Sequence, residues 1–150
     1  MRQAKNRYAE LKQRQQKEFN ALPLGIAWNQ KQFAEMMEGW GLNPDKDTDK
    51  IYHLVGGSYI QKKDADLLHQ TRERHDKELA DAIAGDATGD GFIHDMFLRE
   101  LEDHEFGYTM SMDSTLDALC YTAEDINSDS RLLHGLEKAC TEILERRRKA

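Results

Sequence analysis

The apolar stripe near the C-terminus constrains the fold most. Leu132, Leu133, Leu136, Ala139, Cys140, Ile143 and Leu144 recur at steps of three and four, the spacing that lines one face of an α-helix and no face of a strand. A helix over about 130–147 carrying so broad a stripe must bury it against other elements. Arg146 to Lys149 then complement the helix dipole at its last turn. A second row, Ile93, Phe97, Leu101 and His104, steps by four, four and three and predicts a helix over about 91–105 with Phe92 and Met96 also inward. Trp40, Phe97, Leu101, Leu136 and Ile143 are the expected core.

The rest of the chain fills in around these two helices. Residues 2–18 read as a polar helix with a thin seam of Ala4, Tyr8 and Leu11, extended by Phe19. A seam that thin docks loosely or serves self-association, so a homo-oligomer through this helix is one expectation. Leu24 to Trp28 forms a short strand. Asn29 caps a helix over 30–39 whose face is Phe33, Met36, Met37 and Trp40, and Asn43-Pro44-Asp45 makes a turn. Two β-rich runs, Ile51 to Val55 and Ser58 to Lys62, flank Gly56-Gly57, which tolerates the positive φ of a primed hairpin turn. Asp64 caps a helix over 65–84, with Leu68, His75, Leu79 and Ile83 inward. Residues 85–91 and 106–113 read as loops. A short helix follows over Thr115 to Cys120, and Thr122 caps another. The fold class is α+β, with about five helices packed around a small β-hairpin or short antiparallel sheet. Its organisation is a basic N-terminal helical extension over 1–19 and a single α+β domain over 20–150, as a chain of 150 residues allows.

Charge is distributed unevenly. The formal net charge is −7, yet residues 1–20 carry +4 and residues 140–150 carry +2. Residues 76–129 hold fifteen Asp and Glu against only Lys77 and Arg99, a net −13. An acidic surface of that size suits a basic protein and disfavours direct contact with a nucleic-acid backbone. Glu100 and Asp103 share one row of the 91–105 helix, while Asp95, Glu102 and Glu105 fall outside its best apolar row. Acids three or four apart on a helix are about 5–6 Å apart at Cβ, so such rows can imitate a phosphate track. Asp95, Glu100, Glu102, Asp103 and Glu105 are the expected partner-binding residues.

Other chemistry is weakly encoded. Asp86 to Gly91 begins like a calcium loop, with ligand types at Asp86, Thr88 and Asp90, but the twelfth position, where a bidentate Glu belongs, is Phe97. The same letters describe a turn with Asp90 as the next helix cap. His75-Asp76 and His94-Asp95 are the residue types of metal-dependent phosphohydrolases, which leaves a metal-dependent hydrolase as the alternative. No second His lies four residues from His104, so no HExxH exists. Cys120 and Cys140 form no CxxC and read as small buried thiols. No catalytic residue, metal site or cofactor is expected. No apolar run approaches the roughly 18 residues of a membrane span, and the charged start, Met1 to Arg7, carries no signal-peptide core. The expected location is therefore the cytoplasm.

The strings 18–28, 56–64, 89–106 and 132–140 resemble a family of small acidic proteins from phages and mobile elements of gut bacteria. That resemblance implies a bacterial host cell and, by the habit of such elements, an anti-defence role. The expected function is a non-enzymatic, anti-CRISPR-like inhibitor that offers an acidic surface to a basic groove of a nucleic-acid-binding defence nuclease such as Cas9. A structural or assembly protein of a mobile element is the other reading.

Overall fold

The computed structural model describes residues 5–149. Among these residues it contains eight α-helices and one three-stranded antiparallel sheet, the α+β class expected. The chain forms two compact units, Met1–Arg14 with Lys77–Ala150, and Gln15–Asp76, so the dividing lines pass through the helices α1 (Arg7–Asn20) and α3 (Ala65–Ala84) rather than at residue 19.

The smaller unit holds the sheet. Strands β1 (Leu24–Ile26), β2 (Ile51–His53) and β3 (Ser58–Gln61) run in the order β1-β3-β2. The register pairs Leu24 with Ile60 on one side of β3 and Tyr52 with Ile60 on the other. Leu54 N–H donates to Ser58 O at 2.8 Å, so the hairpin loop is Val55-Gly56-Gly57, one residue longer than the glycine pair. Gly56 takes the expected positive φ, 64°. Helix α2 (Gln30–Gly39) begins as the sequence indicates: Asn29 is extended and its side chain accepts from Gln32 N. Met37 and Ile60 are fully buried, whereas Trp40, expected in the core, is half-buried. The Trp40 ring is one of the groups a Cβ on Gly25 would strike, so it flanks β1 instead of entering the centre.

The larger unit is helical. Helix α4 (Phe92–Asp103) packs chiefly on α8 (Ser130–Lys149), with α5 (Phe106–Thr109), α6 (Asp113–Ala118) and α7 (Ala123–Ser128) between them in sequence. Ile93, Met96, Phe97, Leu101, Leu136, Ala139 and Ile143 make one buried cluster. Two helices approach this closely only where a side chain is missing. A Cβ on Gly135 would lie 2.6 Å from Ile93 Cγ2 and 2.9 Å from Gly89 O. Tyr8 joins the same cluster, 3% exposed, with its ring edge-on to Phe92. The start of α1 is thus part of a core, not a loosely docked seam. Ala4 of that seam lies outside the described residues.

Three local expectations change. Gly91 stands at the N-cap of α4, and the carboxylate that caps the helix is that of Asp86, not Asp90: it accepts from the backbone N–H groups of Gly89, Gly91 and Ile93 at 2.9–3.0 Å and of Thr88 at 3.3 Å. The segment 106–113 contains a helical turn, α5, anchored by buried Phe106. Cys120 is exposed, at φ 60°, because α6 ends before it and turns the backbone away from the core. Thr122 caps α7 in a reciprocal capping box with Asp125.

Candidate functional site

The five acids expected to bind a partner divide into two groups. Asp95 is buried, 6% exposed. Its Oδ2 accepts from the Arg7 backbone N–H at 3.0 Å and from Arg7 Nε at 2.8 Å, and Asn6 Nδ2 donates to its carbonyl at 2.9 Å. A carboxylate at the first N–H of α1 satisfies a donor the helix cannot satisfy itself. Glu100 is half-buried and accepts from Tyr8 Oη at 2.7 Å, with His104 Nε2 3.4 Å away. Burial raises the Tyr8 phenol, with the Glu100 hydrogen bond adding to it, so it stays a proton donor. Asp95 and Glu100 therefore hold α1 to α4: Asp95 is buried against Arg7 and Glu100 half-buried against the Tyr8 hydroxyl, so neither stands free on the surface, which corrects their assignment. Glu102, Asp103 and Glu105 are exposed as expected. Glu102 faces Arg146 at 3.3 Å and Asp103 faces Arg99 at 3.3 Å.

The free negative charge lies further along. Between Glu100 and Asp129 there are nine acids and no Lys or Arg. Within that stretch Glu105, Asp113, Asp117 and Glu124 are exposed, and their carboxylates have no hydrogen-bond or ion-pair partner among the described residues. Large apolar side chains sit between them: Tyr108 is 82% exposed, Met110 57% and Met112 37%. The backbone here is unusual as well. Glu105, Met110 and Cys120 are the non-glycine residues with positive φ among the described residues, at 58–60°, a conformation that disfavours side chains and persists where the surroundings enforce it. Phe106, buried against α8, and the fully buried Thr115, whose hydroxyl donates to Glu100 O at 3.3 Å, pin the segment on either side of Met110. The result is an acidic ledge with exposed methionine and tyrosine, built on a fixed scaffold.

The histidines of the two His-Asp pairs are already engaged. His94 Nε2 lies 2.9 Å from Glu142 and its Nδ1 3.3 Å from Asp95. They line a polar cleft of about 320 Å³ with Arg99, Glu102 and Arg146. In the smaller unit His75 Nε2 lies 2.8 Å from Glu18. Asp90 does not cap α4. His134 and Lys138 hydrogen-bond it and lower its carboxyl to about 2. Burial, with Glu137 adding to it, pushes the Cys140 thiol up to about 11, so it is a poor nucleophile.

Sequence reasoning missed an aromatic recess in the smaller unit. Trp28 is 73% exposed, and a Cβ on Gly57 would lie 2.8 Å from its Cδ2, so the indole rests on the hairpin turn. Phe33 meets Tyr59 edge-on at 5.4 Å and His53 stacks on Tyr59 at 4.6 Å. These rings line a recess of about 450 Å³ that contains no Asp, Glu, Lys or Arg. The glycine pair was the available signal: beside a tryptophan, it marks a turn on which a ring can lie.

A family model spans residues 7–142. The chain belongs to the family of unknown function DUF7659. No curated protein and no solved structure matches it. The DUF7659 match includes both α4 and the acidic ledge. In this DUF7659 chain no helix, among the described residues, is long and apolar enough to cross a membrane.

Proposed function

We propose that this protein is a non-enzymatic inhibitor or adaptor that binds a basic protein through the acidic ledge over Glu105–Glu124. One observation carries the reading: four exposed acids, unpaired among the described residues, flank exposed Tyr108, Met110 and Met112 in a stretch without a single Lys or Arg. Unpaired surface acids steer a basic partner, and exposed methionines and aromatics supply the area that holds it. Glu102 and Asp103 extend the ledge, tempered by Arg146 and Arg99. A nucleic-acid-binding groove is the basic surface such a ledge imitates a ligand for, and the resemblance to small acidic phage proteins makes a CRISPR nuclease the first partner to try.

The test is DNA binding by a guide-loaded CRISPR nuclease with increasing amounts of the chain, at low and high salt. Inhibition at low salt that weakens at high salt, and that disappears when Asp113, Asp117 and Glu124 become Lys, is the expected result. Unaltered DNA binding at every chain concentration removes the nuclease as partner. Inhibition insensitive to salt and to the three reversals removes the ledge.

A further inference from the structure

The tyrosine of the acidic ledge already holds an arginine. The Arg147 guanidinium, from the last turn of α8, lies 5.7 Å over the Tyr108 ring, and its Nη1 donates to the carbonyl of Gly107. Gly107 also sits against the helix: a Cβ there would meet Ile143 Cγ2 at 3.4 Å. Met112 reaches the same helix further back, its sulfur 3.7 Å from Cys140 Sγ. Cys140 and Arg147 are seven residues apart, about two turns and roughly 10 Å along α8. Tyr108 and Met112 therefore mark the two ends of a strip beside α8. Glu105 precedes it in sequence and Asp113 and Asp117 follow it, all exposed. Even with Arg147 in place, four-fifths of Tyr108 remains in solvent, so the ring has room for more than this one cation.

We propose that the strip Tyr108–Met112 is a seat for arginine side chains of a partner, and that Arg147 occupies part of it in the free protein. The inference rests on the acidic ledge being the binding surface and narrows what it binds: a segment with arginines spaced by apolar residues, rather than any positively charged surface. Three features favour arginine over lysine. A planar guanidinium stacks on a tyrosine face, its fork of donors reaches a carbonyl and a carboxylate together, and it sheds water more readily than an ammonium. The carbonyl of Gly107 and the ring of Tyr108 already meet one guanidinium together, and the exposed acids Glu105, Asp113 and Asp117 lie three, five and nine residues from Tyr108 in sequence. Flexible methionine side chains at 110 and 112 accommodate the apolar residues between arginines. Arg147 competes for the seat, so removing it frees acceptor area.

The test uses the full chain and two fluorescent amphipathic peptides of identical pattern, one carrying arginine and the other lysine at every basic position. Anisotropy at low salt is expected to give at least fivefold tighter binding of the arginine peptide. Tyr108→Ala should erase that ratio, Tyr108→Phe should keep it, and Arg147→Gln should tighten the arginine peptide about threefold. Tyr108 is exposed, and thermal melts of all three variants check that each stays folded. Equal, salt-sensitive affinity for both peptides would overturn the arginine seat while leaving the acidic ledge standing. Binding of neither peptide at low salt would overturn both. A concentration-dependent dimer in sedimentation that Tyr108→Ala abolishes would assign the seat to a second copy of this chain and overturn the partner segment.

Discussion

The acids of α4 and the acids that follow it contrast most. Asp95 and Glu100 lie on one helix in the most acidic third of the chain. Both turn inward to Arg7 and Tyr8. Glu105 precedes α5, Asp113 and Asp117 lie on the short helix α6 and Glu124 on the short helix α7, and all four are exposed and unpaired among the described residues. Charge counted along a sequence is therefore not charge offered to a partner. On α4 the donors that engage it, the Arg7 guanidinium and the neutral Tyr8 hydroxyl, arrive from residues 88 and 92 positions away. After α4 no such donor reaches the carboxylates of Glu105, Asp113, Asp117 or Glu124 among the described residues.

That contrast can be broken at several points. The largest effect belongs to Asp95→Ala. It strands the first N–H of α1, that of Arg7, and frees the Arg7 guanidinium, and should lower stability by about 1–3 kcal/mol in urea denaturation, the cost of leaving partly buried donors unmatched. A variant as stable as the wild type would return Asp95 to the surface group. Tyr8→Phe comes next. It removes one hydrogen bond to Glu100 and should cost about 0.5–1.5 kcal/mol by the same measurement.

Acid should sharpen the difference between structural and surface carboxylates. Burial pushes the Asp86 carboxyl up, but the backbone N–H bonds from Ile93, Gly89, Thr88 and Gly91 outweigh it and leave it below its ordinary value of 3.8. A lowered folded value means that the stability Asp86 contributes is present in full above 3.8 and is lost as pH falls through the folded value. Stability measured at a series of pH values should therefore fall below 3.8 more steeply in the wild type than in Asp86→Asn. Parallel acid limbs would show that Asp86 does not cap α4. The smallest effect on stability belongs to the ledge: Asp113→Lys and Asp117→Lys should each shift stability by less than about 0.5 kcal/mol.

How much of this was readable in the sequence follows from the range of the forces involved. Helices α2, α3, α4 and α8 were legible because their signals are local: an Asn cap at 29, a strict apolar row at Ile93, Phe97 and Leu101, and the Leu132–Leu144 stripe. The hairpin was legible in Gly56-Gly57. The inward turn of Asp95 was not, because Arg7 lies far away in sequence and carries no mark of its destination. The cap by Asp86 was missed because it reaches seven residues, past Asp90, to Ile93. The ledge was half-legible. The charge excess pointed to it, but the 91–105 helix drew the assignment to residues whose register looked purposeful. Exposure of Tyr108, Met110 and Cys120 depends on left-handed backbone at 105, 110 and 120, and none of those positions is a glycine that would announce it.

The most direct test sets the two groups of acids side by side. One variant carries Asp113→Lys, Asp117→Lys and Glu124→Lys, the other Asp95→Asn and Glu100→Gln. Each is melted, then titrated with the arginine peptide at low salt and at a temperature where it is folded. The expected result is that the ledge variant keeps the wild-type melting temperature and loses at least tenfold in affinity, while the α4 variant melts several degrees lower and binds as the wild type does. An α4 variant that melts like the wild type and binds tenfold more weakly would contradict the account and restore α4 as the partner-binding face.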